Sequence, residues 1–147
     1  MATQNQINEL MHLFAEAQPR QGSSWQQRTS TGNDGMLGVL IYLYRTNETA
    51  TAGSISKVMH ITTGRVSVLI RKMVEKGLIT RETGKEDARV TEISITDKGR
   101  QIVEELQKQR NDQMGQLIDT IGMERLRAYI ETSKEVWSIL KPFNLEF

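Results

Sequence analysis

Residues 61–77 read ITTGRVSVLIRKMVEKG, and the spacing of the apolar side chains in this run predicts an α-helix. The apolar positions recur at i, i+3, i+4 and i+7, which forms one buried stripe: Val66, Leu69, Ile70 and Met73. Gly77 comes where a glycine commonly ends a helix as the C′ residue. The opposite face mixes small, polar and cationic side chains: Arg65, Ser67, Val68, Arg71 and Lys72. Such a surface suits a groove that is flanked by phosphates.

The segments on either side of this helix predict a winged helix-turn-helix. Thr51 is expected to cap a short preceding helix. The side chains of that helix expected to turn inward are Ile55, Val58 and Met59. Residues 78–82 and 90–96 alternate apolar and polar side chains, as strands do, around a tip that contains Gly84. A short helix, a turn, a basic helix and a hairpin together predict a lobe that binds duplex DNA.

Four further helices are predicted outside this segment, at about residues 4–17, 34–46, 97–120 and 123–140. The one at 34–46 is apolar over more than half of its girth and is expected at the centre of the fold. Thr96 is placed to cap the helix that follows the hairpin, and Gly122 separates the last two helices. The predicted fold class is mainly α with a small β-hairpin wing.

Composition limits the class of protein. The chain has 147 residues, which is room for about one domain, and it contains no cysteine for disulfides or thiolate metal sites. The N-terminus lacks the pattern of a secretory signal, and no apolar run approaches the roughly 18 residues that a membrane span needs. We therefore expect a cytoplasmic protein that does not associate with membranes.

The sequence predicts neither an enzyme nor a metal protein. It contains no Gly-rich phosphate loop, nucleophile elbow, His-Glu-x-x-His motif or paired catalytic carboxylates. His12 and His60 are too few to form a metal set, which needs three or four convergent ligands. No cofactor is expected.

The net charge of +1 hides an uneven distribution. Residues 57–89 contain eight lysines and arginines against four acids, a net charge of +4, whereas the rest of the chain contains eleven against fourteen, a net charge of −3. A basic region on an acidic body is typical of proteins that bind nucleic acid phosphates. The alternative is an ordinary solvated surface.

The helices outside the winged segment predict a homodimer. Within a single domain of residues 1–147, residues 34–96 form the predicted DNA-binding lobe, and residues 1–33 and 97–147 form a helical dimerisation region. The apolar stripes of this region need a partner, as do three apolar residues near the C-terminus: Phe143, Leu145 and Phe147. A two-fold pair would bury them and present two recognition helices to one pseudo-palindromic operator. The alternative is a monomeric six-helix domain that folds these stripes inward.

The run from Gly38 to Leu106 resembles the MarR-type (multiple-antibiotic-resistance) transcriptional regulators. The resemblance is carried by three motifs in order: MVEKGLI at 73–79, EDAR at 86–89 and ISITDKG at 93–99. It implies a triangular homodimer with two winged lobes, and a pocket where small molecules, often phenolic, loosen DNA binding. The family's wing often reads Asp-Arg-Arg, and here Ala88 replaces the middle cation between Asp87 and Arg89.

The DNA-binding candidates are Thr62, Thr63, Gly64, Arg65, Ser67, Val68, Arg71, Lys72, Lys85 and Arg89. Thr62 is expected to cap the recognition helix, whose N-terminal half would enter the major groove. Arg65 is the candidate for a bidentate guanine contact and Val68 for a thymine methyl, whereas Lys72 and Lys76 would touch phosphates or solvent. Arg89 either contacts DNA or forms a salt bridge with Asp87 that shapes the hairpin.

A pocket for a small aromatic effector is predicted where the first two helices and the start of the fifth meet the winged lobe. Its candidate lining residues, Met11, Phe14, Trp25 and Met36, have soft or aromatic side chains suited to planar ligands, although they can equally be ordinary core. The predicted function is a homodimeric, sequence-specific transcriptional regulator, a repressor released by a ligand. The alternative is a winged-helix protein-interaction module without specific DNA binding.

Overall fold

The computed structural model describes residues 1–17, 32–46 and 49–140, with only the backbone described at 32–34. The helices in these ranges are α1 (Gln4–Ala17), α2 (Gly32–Arg45), α3 (Ala52–Met59), α4 (Thr63–Glu75), α5 (Asp97–Ile121) and α6 (Met123–Ile139). The strands are β1 (Thr49–Thr51), β2 (Ile79–Thr83) and β3 (Thr91–Ile95). The mainly helical fold with a small wing is therefore confirmed.

The chain divides into two compact units. The winged unit comprises Ser23–Gln107, and the helical unit comprises Met1–Gly22 together with Lys108–Phe147. Helix α5 begins in the winged unit and ends in the helical unit. Its Val103 is 2% exposed and belongs to the core of the winged unit, so the first turns of α5 complete that core.

Helix α4 follows the pattern read from its sequence. The predicted stripe is buried, with Val66, Leu69, Ile70 and Met73 all in the core of the winged unit. Gly77 ends the helix in the left-handed region at φ +70°, where an L side chain would be strained. Its N–H donates to the Val74 carbonyl (2.9 Å) and the Leu78 N–H donates to the Met73 carbonyl (2.9 Å), which is a Schellman motif.

Helix α3 is capped as predicted, but the face that it buries differs from the predicted one. The Thr51 hydroxyl accepts the Ser54 N–H (3.1 Å), and the Ser54 hydroxyl accepts the Thr51 N–H (3.1 Å). Ile55 is fully buried and Met59 partly buried, but Val58 is 52% exposed, so its predicted inward orientation is wrong. Val58 lies roughly a quarter turn from the buried stripe at 100° per residue, which turns its side chain away from the core.

The hairpin belongs to a three-stranded antiparallel sheet with the order β1-β3-β2. Arg81 pairs with Ile93 in the register of β2 and β3, and Ala50 pairs with Ile93 in that of β1 and β3. Strand β1 is absent from the sequence prediction, because its three residues are too few to alternate and include the Thr51 cap. Its pairing makes β3 the central strand and ties the start of α3 to the wing.

The helical unit packs α1 against α6. Its buried residues are Ile7, Leu10, Ile118, Leu126 and Ile130. Two ion pairs join the exposed edges of these helices, Arg127 to Glu9 (2.5 Å) and Lys134 to Glu16 (3.4 Å). Each is partly exposed to solvent and contributes about 1 kcal/mol at most.

The apolar stripe of α6 is only half buried within this chain. Its first part is in the core of the helical unit, whereas its last part is exposed, namely Val136, Trp137 and Leu140. Gly122, at φ +89°, separates α5 from α6 as predicted. Over the described residues, no helix is both long enough and apolar enough to cross a membrane. The predicted pairing surface around Phe143, Leu145 and Phe147 lies outside the described residues.

Candidate nucleic-acid interface

The N-terminal end of α4 is held by a side-chain cap. The Thr62 hydroxyl accepts the Arg65 N–H (3.3 Å), which confirms Thr62 as the cap residue. One turn further along, the Ser67 hydroxyl donates to the Thr63 carbonyl (3.0 Å). These bonds define the backbone at the helix start, so the side chains that follow project from a rigid element.

The predicted contact residues of α4 all lie on its exposed face: Thr62, Thr63, Gly64, Arg65, Ser67, Val68, Arg71 and Lys72. At 100° per residue, the ridge most nearly opposite the buried stripe is formed by Gly64, Val68, Arg71 and Glu75. This outermost ridge has a glycine and a valine near the N-terminus and an acid at the C-terminus. An acid repels phosphates, so the N-terminal half of the ridge is the part suited to face DNA.

The segment that leads into this surface and forms most of it contains no acid. Residues 49–74 contain four cations and no acid: Lys57, Arg65, Arg71 and Lys72. The first turn of α4 has no acidic residue, and its backbone N–H groups add the positive end of the helix dipole. The surface can therefore attract an anionic backbone without an internal acid that competes for it.

The C-terminal end of α4 is fastened to the start of α5 by two side chains that the sequence reading did not assign to the site. The Thr96 hydroxyl donates to the Gly77 carbonyl (2.7 Å), and the Lys98 ammonium donates to the Lys76 carbonyl (2.8 Å). Thr96 also accepts the Gly99 N–H (3.2 Å), which confirms its role as the cap of α5. Both side chains belong to the ISITDKG motif, but no sequence pattern predicts that Thr96 and Lys98 donate to the carbonyls of Gly77 and Lys76.

The wing tip presents Lys85 and Arg89 as exposed side chains. The Asp87 carboxylate accepts the backbone N–H of Arg89 (2.9 Å), and within the described chain it forms no ion pair with the Arg89 guanidinium. Of the two alternatives for Arg89, the salt bridge with Asp87 is therefore not formed, and Asp87 shapes the tip through the backbone. A Cβ at Gly84 would come within 2.8 Å of the Asp87 carbonyl, so this tight tip requires glycine there.

The described residues among the predicted effector residues belong to two different hydrophobic cores. Met11 and Phe14 are partly buried against the core of the helical unit. Met36 is buried in the core of the winged unit, and Trp25 lies outside the described residues. The pocket therefore stays a prediction. Among the described residues, no group of three or more His, Asp or Glu side chains is placed to hold a metal ion.

Comparisons with known proteins match this arrangement. The sequence profile of the MarR family matches residues 37–90. An uncharacterized HTH-type transcriptional regulator of Bacillus subtilis, YdgJ, is 26% identical over 95 residues, which cover 65% of this chain and 57% of that protein's own length.

Two solved structures have the same fold. The YusO protein of Bacillus subtilis aligns over 93% of this chain and 99% of its own, with a TM-score of 0.60 and 24% identity. A mutant of MepR from S. aureus aligns over 95% of this chain and 100% of its own, with a TM-score of 0.61 and 22% identity. The winged segment of this chain is therefore similar to the MarR family profile over residues 37–90, and the chain shares its fold with these solved structures.

Proposed function

We propose that this protein is a homodimeric, sequence-specific DNA-binding regulator, a repressor that releases a pseudo-palindromic operator when it binds a small aromatic effector. The observation that carries the proposal is the exposed face of α4, which is cationic, free of acids over residues 49–74 and fixed at both ends of the helix by side-chain hydrogen bonds. A rigid helix of this kind can place side chains against base edges in the major groove. Such a regulator would act in the cytoplasm.

The exposed apolar residues of α6 support the dimer. Trp137 is 53% exposed and Ile139 is 78% exposed, and further large apolar side chains accompany them: Tyr129, Val136 and Leu140. At 100° per residue Tyr129, Val136 and Leu140 fall on one side of the helix and its C-cap, and such an exposed apolar face is typical of a surface that is covered by a partner. A second copy would also supply a second α4, with half-sites about 34–36 Å apart along the operator.

The wing supports contacts to the DNA backbone. Lys85 and Arg89 project from a hairpin whose tip is shaped by Asp87 and Gly84, so their charges are presented at a defined place. With Ala88 in the middle position, the wing offers fewer cations than the Asp-Arg-Arg form, and α4 would carry a larger share of the phosphate contacts.

Binding to DNA is tested by the salt dependence of affinity. Genomic fragments retained by the protein supply an operator, and fluorescence anisotropy compares that operator with a random duplex of equal length between 50 and 200 mM salt. We expect the affinity for both duplexes to fall steeply with salt, because bound phosphates release counterions, and the operator to stay the tighter ligand. Salt-independent binding, or none, would contradict the proposal and favour a protein-interaction module.

A further inference from the structure

The fold of the winged unit has no need of a glycine at position 64. Gly64 is the second residue of α4, and its backbone is outside the left-handed region that Gly77 and Gly122 adopt. A Cβ built there would meet no atom within 4 Å. Alanine would also favour the helix more than glycine does. The space in front of Gly64 is therefore open to something outside the chain.

Val68 borders this open space. It lies one turn after Gly64 on the outermost ridge of α4, and it is 40% exposed although it is apolar. Side chains on a helix lean toward its N-terminus, so Val68 leans toward the turn that contains Gly64 while leaving the position of a Gly64 Cβ clear by more than 4 Å. The open space over the Gly64 backbone, together with the exposed apolar side chain of Val68 one turn later, is called the Gly64–Val68 recess.

We propose that the Gly64–Val68 recess receives the C5 methyl group of a thymine in each operator half-site, a role that rests on the proposed DNA-binding function. Thymine is the base that presents a methyl group in the major groove, and apolar side chains are its usual contacts. The recess is at the N-terminal half of α4, the part that enters this groove in helix-turn-helix proteins. Neither Gly64 nor Val68 has a polar side chain, so the recess favours a methyl group over a hydrogen-bonding edge.

The first experiment removes the methyl group from the DNA. Each thymine of the selected operator is replaced in turn by deoxyuridine, which keeps the hydrogen-bonding groups of the base. For the wild-type protein we expect one thymine per half-site to lose about fourfold in affinity, the ratio that corresponds to about 0.8 kcal/mol for one buried methyl-sized group.

The second experiment fills the recess. Gly64→Ala should lower operator affinity about tenfold, should make thymine and deoxyuridine equivalent at that position, and should leave random-duplex affinity within about twofold. The matched control is Gly53→Ala. Gly53 is also exposed and also the second residue of its helix, α3, and a Cβ there would be 3.9 Å from the Thr51 hydroxyl, an ordinary contact. Gly53→Ala should keep the thymine preference, and both variants should unfold at higher urea concentration than the wild type.

The outcomes separate the recess from the proposed function. Failure of the wild type to bind any duplex in a salt-dependent manner would refute DNA binding itself. A wild type that binds its operator yet distinguishes thymine from deoxyuridine nowhere would overturn only the recess. The recess would also be overturned if Gly64→Ala kept the wild-type thymine preference, lost operator and random affinity equally, or behaved like Gly53→Ala.

Discussion

Replacing Gly99 with alanine should destabilise the protein, because the start of α5 lies directly against the sheet of the winged unit. A Cβ at this position would overlap the Leu78 carbonyl oxygen, and it would come within 2.9 Å of Ile95 Cγ1 and 3.0 Å of Leu40 Cδ2. The carbonyl is backbone and cannot rotate away, and it already accepts the Thr96 N–H (3.1 Å). Relief of the overlap therefore requires the helix start to shift away from the sheet.

The size of this effect follows from two costs and one gain. Overpacking of this kind costs about 1–3 kcal/mol, and a weakened hydrogen bond to the Leu78 carbonyl adds about 1 kcal/mol. Replacing glycine with alanine in a helix raises the free energy of unfolding by about 0.5–1 kcal/mol. The free energy of unfolding should therefore fall by about 1–3 kcal/mol. At a denaturant slope of about 2 kcal/mol/M, the urea midpoint would fall by about 1 M.

Helix α5 itself offers the matched control. A Cβ at Gly115 would meet only Ile7 Cδ1 at 3.7 Å and Ala2 Cβ at 4.0 Å, which are ordinary contacts. Gly115→Ala should therefore stabilise the protein by about 0.5–1 kcal/mol. Far-UV circular dichroism in urea, at one fixed protein concentration, measures both variants. Shifts of the same sign for Gly99→Ala and Gly115→Ala would refute the steric reasoning.

Four further predictions concern the site, the helix anchor, the dimer and the effector. Arg65→Ala should weaken binding to the operator by about 1–3 kcal/mol and relax the base preference at one base pair, whereas Lys76→Ala should weaken binding to all duplexes alike and flatten the salt dependence. Equal losses of affinity for operator and random DNA in Arg65→Ala would show that Arg65 contacts only phosphate. Thr96→Val removes the cap of α5 and the bond to α4, so urea unfolding should show a loss of about 1–2 kcal/mol, and an unchanged midpoint would show that these bonds do not contribute. Trp137→Ser should weaken a dimer observed by sedimentation about tenfold or more, and a wild type that stays monomeric with full operator affinity would contradict the two-fold model. In a Trp137→Phe background, the fluorescence of Trp25 should change with salicylate-like compounds in parallel with a loss of operator affinity, and a fluorescence change without that loss would indicate a site without a regulatory role.

The parts of the fold that the sequence predicted are those that depend on neighbouring residues. The stripe of α4, the Thr62 cap and the ending at Gly77 each involve residues within a few positions of one another, so periodicity and capping rules identify them. The exposed face of α4 follows from the same stripe, because a residue opposite a buried face is exposed. Most of the candidate interface was therefore readable before the structure, including Gly64 and Val68.

The Val58 prediction was wrong because a short helix offers few positions from which to judge its orientation. In an eight-residue helix, several apolar residues can be grouped into more than one plausible stripe. Packing against α2 and α4 selects the stripe that contains Ile55 and Met59. Contacts with other elements, and not the helix's own pattern, therefore decide which side of α3 is buried.

Local sequence determined where the helices and hairpin strands of this protein lie and which face of α4 is exposed, because backbone hydrogen bonding and side-chain periodicity act over a few residues. Tertiary structure decided the contacts between residues that are distant in the chain. Strand β1 pairs with β3 more than 40 residues later, Lys98 reaches the carbonyl of Lys76, and Arg127 pairs with Glu9. Such contacts depend on how whole elements approach one another, and no pattern within a single element specifies that approach.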